Sequence, residues 1–121
     1  MWHGTRQTLP SQIYEGEVGF DTRFSAAGMW GIAIYFAKNA SYSEAYRYNL
    51  ASGERQMFLA EVLLGDYTLL PSNNQLTMPP LNPQNNVVRF DSVKGHTNGS
   101  DVYMVYLPHK AFPRYLVTYK V

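Results

Sequence analysis

Val102-Tyr103-Met104-Val105-Tyr106-Leu107 and Tyr115-Leu116-Val117-Thr118-Tyr119 decide the fold class of this chain. Both runs consist largely of β-branched and aromatic residues, which suit a pleated, half-buried surface better than a helix. Further strands follow on working back along the chain. Val87-Val88-Arg89-Phe90-Asp91-Ser92-Val93 is one, and residues 55–64 alternate imperfectly through Met57, Leu59 and Leu63. Gly65-Asp66 turns that segment into a short one over 67–70, and residues 96–100 form a turn. Ile32-Ala33-Ile34-Tyr35-Phe36-Ala37 is a compact apolar run, read as a buried strand, and Trp2-His3-Gly4-Thr5 runs from a strand into a turn. Two short helices are expected. One covers residues 9–14, with Pro10 in its first turn and Gly16 near its end. The other opens at Asn39 and runs to about Tyr48, with Tyr42, Ala45 and Tyr46 on one face. Long loops occupy 16–31 and 71–86. Strands dominate and the helices fall in the first half, so the class is α+β.

The chain has 121 residues, enough for one domain over 1–121. Ten Lys and Arg balance nine Asp and Glu, so no strong field would gather nucleic acid or a membrane surface. The apolar runs are far shorter than a membrane span, and nothing at the start resembles a signal peptide. An intracellular location is the resulting expectation. With no cysteine and three histidines, thiolate chemistry is excluded and no metal site is expected. Aromatic residues make up 15% of the chain, including ten tyrosines, a composition that suits strands and pockets for flat ligands.

Phosphate-cradling glycine motifs are missing: Lys94-Gly95 lacks the P-loop spacing, and no G-x-G-x-x-G follows a strand. No nucleophile elbow marks a serine hydrolase. The informative residues are His3-Gly4-Thr5, Gly28-Met29-Trp30-Gly31 leading to Tyr35-Phe36-Ala37, Ser43 with Tyr46, Asp91-Ser92-Val93, and the strands from Tyr103 to Tyr119. In this order and spacing they resemble the catalytic domain of the poly(ADP-ribose) polymerase family over essentially the whole chain.

The resemblance implies an ADP-ribosyltransferase fold of two packed, mainly antiparallel β-sheets with short helices. It implies transfer of ADP-ribose from NAD, as substrate and without a metal, to a protein or other acceptor, with release of nicotinamide. His3 would bind the adenine-side ribose, as the first member of the family's His-Tyr-Glu triad. Gly4 would receive the nicotinamide carboxamide through its backbone, with Thr5 beside it. Tyr35 is the second triad member and lies against the nicotinamide ring, with Phe36 next to it. Ser43 holds the carboxamide oxygen and Tyr46 stacks on the ring. Val102 stands where polymer-forming members carry Glu, which resembles the mono-ADP-ribosyltransferase branch. A one-residue register slip would bring Asp101 to that place instead. The chain is also compact at its N-terminus beside the family's usual domain. The alternative to an enzyme is a catalytically inactive module of the same fold that binds NAD or a partner.

Overall fold

In the central strand of the structure, side chains alternate between two separate apolar clusters. The structure is a computed structural model that describes residues 1–25 and 27–121. Ala26, within the expected 16–31 loop, lies outside the described residues. Ten strands occur among the described residues: β1 (Trp2–His3), β2 (Ile34–Ala37), β3 (Tyr48–Asn49), β4 (Arg55–Val62), β5 (Tyr67–Leu69), β6 (Leu81–Asn82), β7 (Asn85–Arg89), β8 (Ser92–Thr97), β9 (Ser100–Val105) and β10 (Ala111–Tyr119). The helices are α1 (Ser11–Tyr14) and α2 (Ala40–Ser43), and a 3-10 turn over Glu44–Tyr46 continues α2.

Eight strands form one sheet in the order β10-β4-β1-β2-β9-β8-β5, with β3 joined to β4, while β6 and β7 form a separate hairpin. All pairings are antiparallel except β5 with β8. Two packed sheets are therefore met only in part: a large mixed sheet carries two cores on its opposite faces. On one face Ile34 and Phe36 of β2 pack with Phe58, Ala60, Phe20 and Ile13. On the other, Ala37 packs with Val102, Met104, Val93, Tyr106 and Trp30. The period-2 alternation of β2 and β9 supplies both.

Two elements differ from the sequence reading. The second helix stops at Tyr46 because Tyr48 and Asn49 pair with Gln56 and Arg55 of β4. A ladder on an existing strand outweighs the local helical pattern. The strand expected over 87–93 is broken at residues 90–91. There the Asp91 carboxylate accepts the Asp66 amide at 2.8 Å, and the Asp91 amide donates to the Asp66 carbonyl at 2.7 Å. The turn over 96–100 is a two-residue hairpin in which Asn98 (φ 49°) and Gly99 (φ 74°) are both left-handed. That conformation is what an Asn-Gly hairpin needs.

Candidate functional site

Gly4 ends β1 against the backbone of the α2 segment. A Cβ at Gly4 would lie 2.2 Å from the Tyr46 carbonyl oxygen and 2.9 Å from that of Ser43. The Arg6 amide donates to the same Tyr46 carbonyl at 2.8 Å. The structure thus brings Gly4, Ser43 and Tyr46 together, and a side chain at position 4 would force them apart. Ser43 is buried, whereas the Tyr46 ring is half-buried, 5.6 Å from the Tyr42 ring and 4.5 Å from the Arg6 guanidinium.

Tyr35 comes from β2, on the same side as Trp30 and Tyr42. Its hydroxyl accepts from the Trp30 amide at 2.8 Å and donates to the Gly31 carbonyl at 2.7 Å. Burial pushes its phenol up, with the Trp30 bond acting the other way. The hydroxyl holds the 28–31 turn, and the half-buried ring packs against the Trp30 cluster. Trp30 supports this turn from below: its indole N–H donates to the Leu70 carbonyl at 3.0 Å, and its carbonyl accepts the Tyr106 hydroxyl at 2.7 Å.

His3 has Nδ1 2.6 Å from the Tyr35 carbonyl and a ring packed on Phe20 (5.0 Å) and Phe36 (5.3 Å). Burial pushes its pKa down, opposed by the Tyr35 bond, so the imidazole is neutral at pH 7. A carbonyl only accepts, so Nδ1 carries the proton and Nε2 is left as an acceptor, suited to a sugar hydroxyl.

Three expected site residues sit differently. Phe36 is 1% exposed in the first core and touches His3 rather than an open cleft. Thr5 is buried, with its hydroxyl donating to the Thr8 carbonyl at 2.8 Å, so it closes the turn instead of facing a ligand. Val102 is wholly enclosed between Ala37 and Gly95 in the second core. Asp101 points to the opposite face, 2.9 Å from His96 Nδ1 and 3.6 Å from Lys94 Nζ, so the register slip does not occur.

A cavity of about 230 Å³ opens beside Tyr46, lined by Asn39, Ser41, Tyr42 and, from the β8–β9 turn, Asn98 and Ser100. The lining contains no carboxylate, imidazole or amine among the described residues. Sequence reading found the turn but not its place as a cavity wall; the Asn98-Gly99 pair was the available signal.

The model of the poly(ADP-ribose) polymerase catalytic domain matches residues 1–94. The chain belongs to this family. It is 38% identical over 122 residues to a probable poly(ADP-ribose) polymerase of Dictyostelium discoideum, covering 99% of this chain and 33% of that protein. It is 32% identical to mouse protein mono-ADP-ribosyltransferase PARP10 and 30% identical to human protein mono-ADP-ribosyltransferase PARP14. Each of those alignments covers 99% of this chain, but 12% and 7% of the relatives. The chain spans a third or less of the length of these curated relatives.

In this member of the family, the turn that presents Tyr46 is tied to the sheet by one carboxylate. Glu44 accepts from Arg55 of β4 and from the Tyr119 hydroxyl of β10, with Arg47 at 3.6 Å. Partial burial works against its charge, but the Tyr119 and Arg55 bonds prevail and hold the carboxyl below its usual range. The reciprocal effect on Tyr119, led by burial and then by Glu44, pushes the phenol up to about 12. A depressed folded pKa means that this stabilisation is present above the unfolded value and is lost as pH falls through the folded one. Glu44→Gln is expected to lower stability by about 1–2 kcal/mol at pH 7, discounted for partial exposure. The difference from wild type should shrink below about pH 4. Urea titrations at pH 7 and pH 3.5 check both; an equal difference at the two pH values would refute the charge argument.

Proposed function

We propose that this chain is an NAD-dependent mono-ADP-ribosyltransferase domain, moving single ADP-ribose units from NAD to a protein or other acceptor and releasing nicotinamide. The observation that carries the reading is the junction of Gly4, Ser43 and Tyr46, where only a residue without a side chain fits against the Tyr46 and Ser43 carbonyls. A flat amide-bearing ring placed there would find the Gly4 backbone and the Ser43 hydroxyl for its carboxamide. Tyr46 would supply one face and Tyr35 the other, with stacking and cation–π attraction of about 0.5–2 kcal/mol per ring. Neutral His3 would accept a ribose hydroxyl through Nε2. Holding the ring by its amide fixes the glycosidic bond for cleavage, with an oxocarbenium-like sugar at the transition state. Val102 has no group to polarise a ribose hydroxyl, which favours stopping after one unit.

Incubation with NAD labelled in the adenylate should place label on the chain or on added protein, with about one nicotinamide released per label under single-round conditions. Tyr46→Ala should weaken NAD binding by about 10-fold or more. Absence of both binding and label would overturn the reading. NAD binding without label or nicotinamide release would favour a binding module.

A further inference from the structure

We infer that this chain associates with itself head to tail, the β6–β7 hairpin of one copy docking in a groove beside β10 of the next. The groove has a volume of about 530 Å³. One wall is the end of α1 and the segment after it, with Tyr14, Glu17 and Val18; the other is the approach to β10, with Pro108, Phe112 and Pro113. The walls come together at Gly19, where a Cβ would lie 4.0 Å from Pro113 Cδ. Tyr14, Val18 and Phe112 are all exposed, so the groove offers two aromatic rings and a valine to its surroundings. Glu17 in the wall, and Glu15 two residues before it, are exposed and form no ion pair among the described residues. An apolar groove edged by unpaired carboxylates fits a partner that is apolar and carries a cation.

The β6–β7 hairpin has that chemistry. It forms a sheet of its own, and among the described residues none from 81 to 89 joins either apolar cluster. A two-stranded hairpin is marginal in water unless it packs on something. Leu81, Val87 and Val88 are nevertheless exposed, Val87 to 83%. Successive strand residues point to opposite faces, so Val87 and Val88 leave an uncovered apolar side chain on each. Arg89, next to them, donates to the Pro79 carbonyl at 2.8 Å and has no carboxylate partner among the described residues. The two surfaces lie at opposite ends of the sheet. β10 is one outer strand, and the hairpin follows β5, the other. Strands spaced about 4.8 Å apart put these edges about 29 Å from each other. The hairpin therefore meets the groove of another copy rather than its own. A contact between unlike surfaces leaves one hairpin and one groove free for further copies. With a single hairpin covered at each contact, the interface belongs to the small, weak class.

The test is sedimentation of the whole chain from about 10 µM to about 1 mM, where the average mass should rise with concentration by about 2-fold or more. Phe112→Ser removes the groove and Val87→Ser removes the hairpin, so each variant alone should stay monomeric. Their equimolar mixture should pair, because the groove of one and the hairpin of the other are intact. Glu17→Arg and Arg89→Glu should each weaken association by about 5-fold or more, and the two combined in one chain should recover to within about 3-fold of wild type. All four side chains are exposed, so melting temperatures should stay within about 2 °C of wild type. If Phe112→Ser fails that control, Tyr14→Ser tests the same groove. A wild-type chain that stays monomeric throughout would overturn the inference and leave the groove to a different protein. Association that survives in both serine variants, or a mixture that stays monomeric, would overturn it as well.

Discussion

Replacing Gly31 by alanine is expected to destabilise the chain by about 4 kcal/mol or more, the range reserved for a specific steric or backbone lesion. Two penalties coincide at this position. Gly31 has φ 84°, where a Cβ costs about 1–2 kcal/mol before any contact is considered. The added Cβ would lie 1.9 Å from the Leu76 carbonyl oxygen and 2.7 Å from its carbon. These are backbone atoms, so no side-chain rotation relieves the overlap. The lesion would spread, because the Gly31 carbonyl also accepts the Tyr35 hydroxyl, and Gly28 and Gly31 exchange two backbone bonds at 3.0 Å. Trp30, 2% exposed, stands between them and lies over Gly95, where a Cβ would come within 2.2 Å of the indole. Leu76 packs on the same apolar cluster as Trp30. A melting temperature lower by about 10 °C or more is the expected reading for a domain of this size. A shift under about 3 °C would refute the account.

The same glycine shows how far the sequence could be read. Gly28-Met29-Trp30-Gly31 stood out as part of an ordered set, but nothing local in it announces that Leu76, forty-five residues away, closes over Gly31. Strands were legible where burial on one face imposes a period of two, as in β9, and the Asn98-Gly99 hairpin was legible from its turn chemistry. The break between β7 and β8 was not, because it depends on Asp91 meeting the Asp66 amide and Lys110, both remote in sequence. The overlong second helix failed for a related reason: Tyr48 has a helical neighbourhood in sequence and a strand partner in space. At the site, the motif named Gly4, Ser43, Tyr46 and Tyr35, and their juxtaposition follows from β1, β2 and α2 meeting. It also named Phe36 and Thr5, whose side chains serve the core and the turn. Residue type and order indicate which positions matter; which way a side chain faces depends on the assembled sheet. Arg6 carries no signal in the sequence, because its stacking on Tyr46 arises from a backbone conformation that no composition rule predicts.

Val102→Glu should not turn the chain into a polymer-forming enzyme, and it should cost about 3–5 kcal/mol of stability. In sequence the change restores the one missing member of the His-Tyr-Glu set. In space, position 102 is wholly enclosed, paired with Ala37 on one side and Gly95 on the other, with Met104 and Val93 in the same cluster. Lys94 and His96 face the other side of the sheet with Asp101, so no charged partner is in place for a new carboxylate. An unpaired carboxylate in such surroundings has a raised pKa. The sign then follows: the variant is least impaired below about pH 4, and the deficit grows as pH rises toward the folded pKa and levels off above it. This is opposite to Glu44, whose contribution disappears at low pH. Denaturation at pH 4 and pH 7, alongside gel analysis of NAD-labelled product, separates the outcomes. Chains of repeated ADP-ribose on a variant as stable as wild type would mean that position 102 opens onto the nucleotide rather than into the core. A destabilised variant whose deficit eases in acid, carrying single units or none, is what the packing of β9 against β2 and β8 requires.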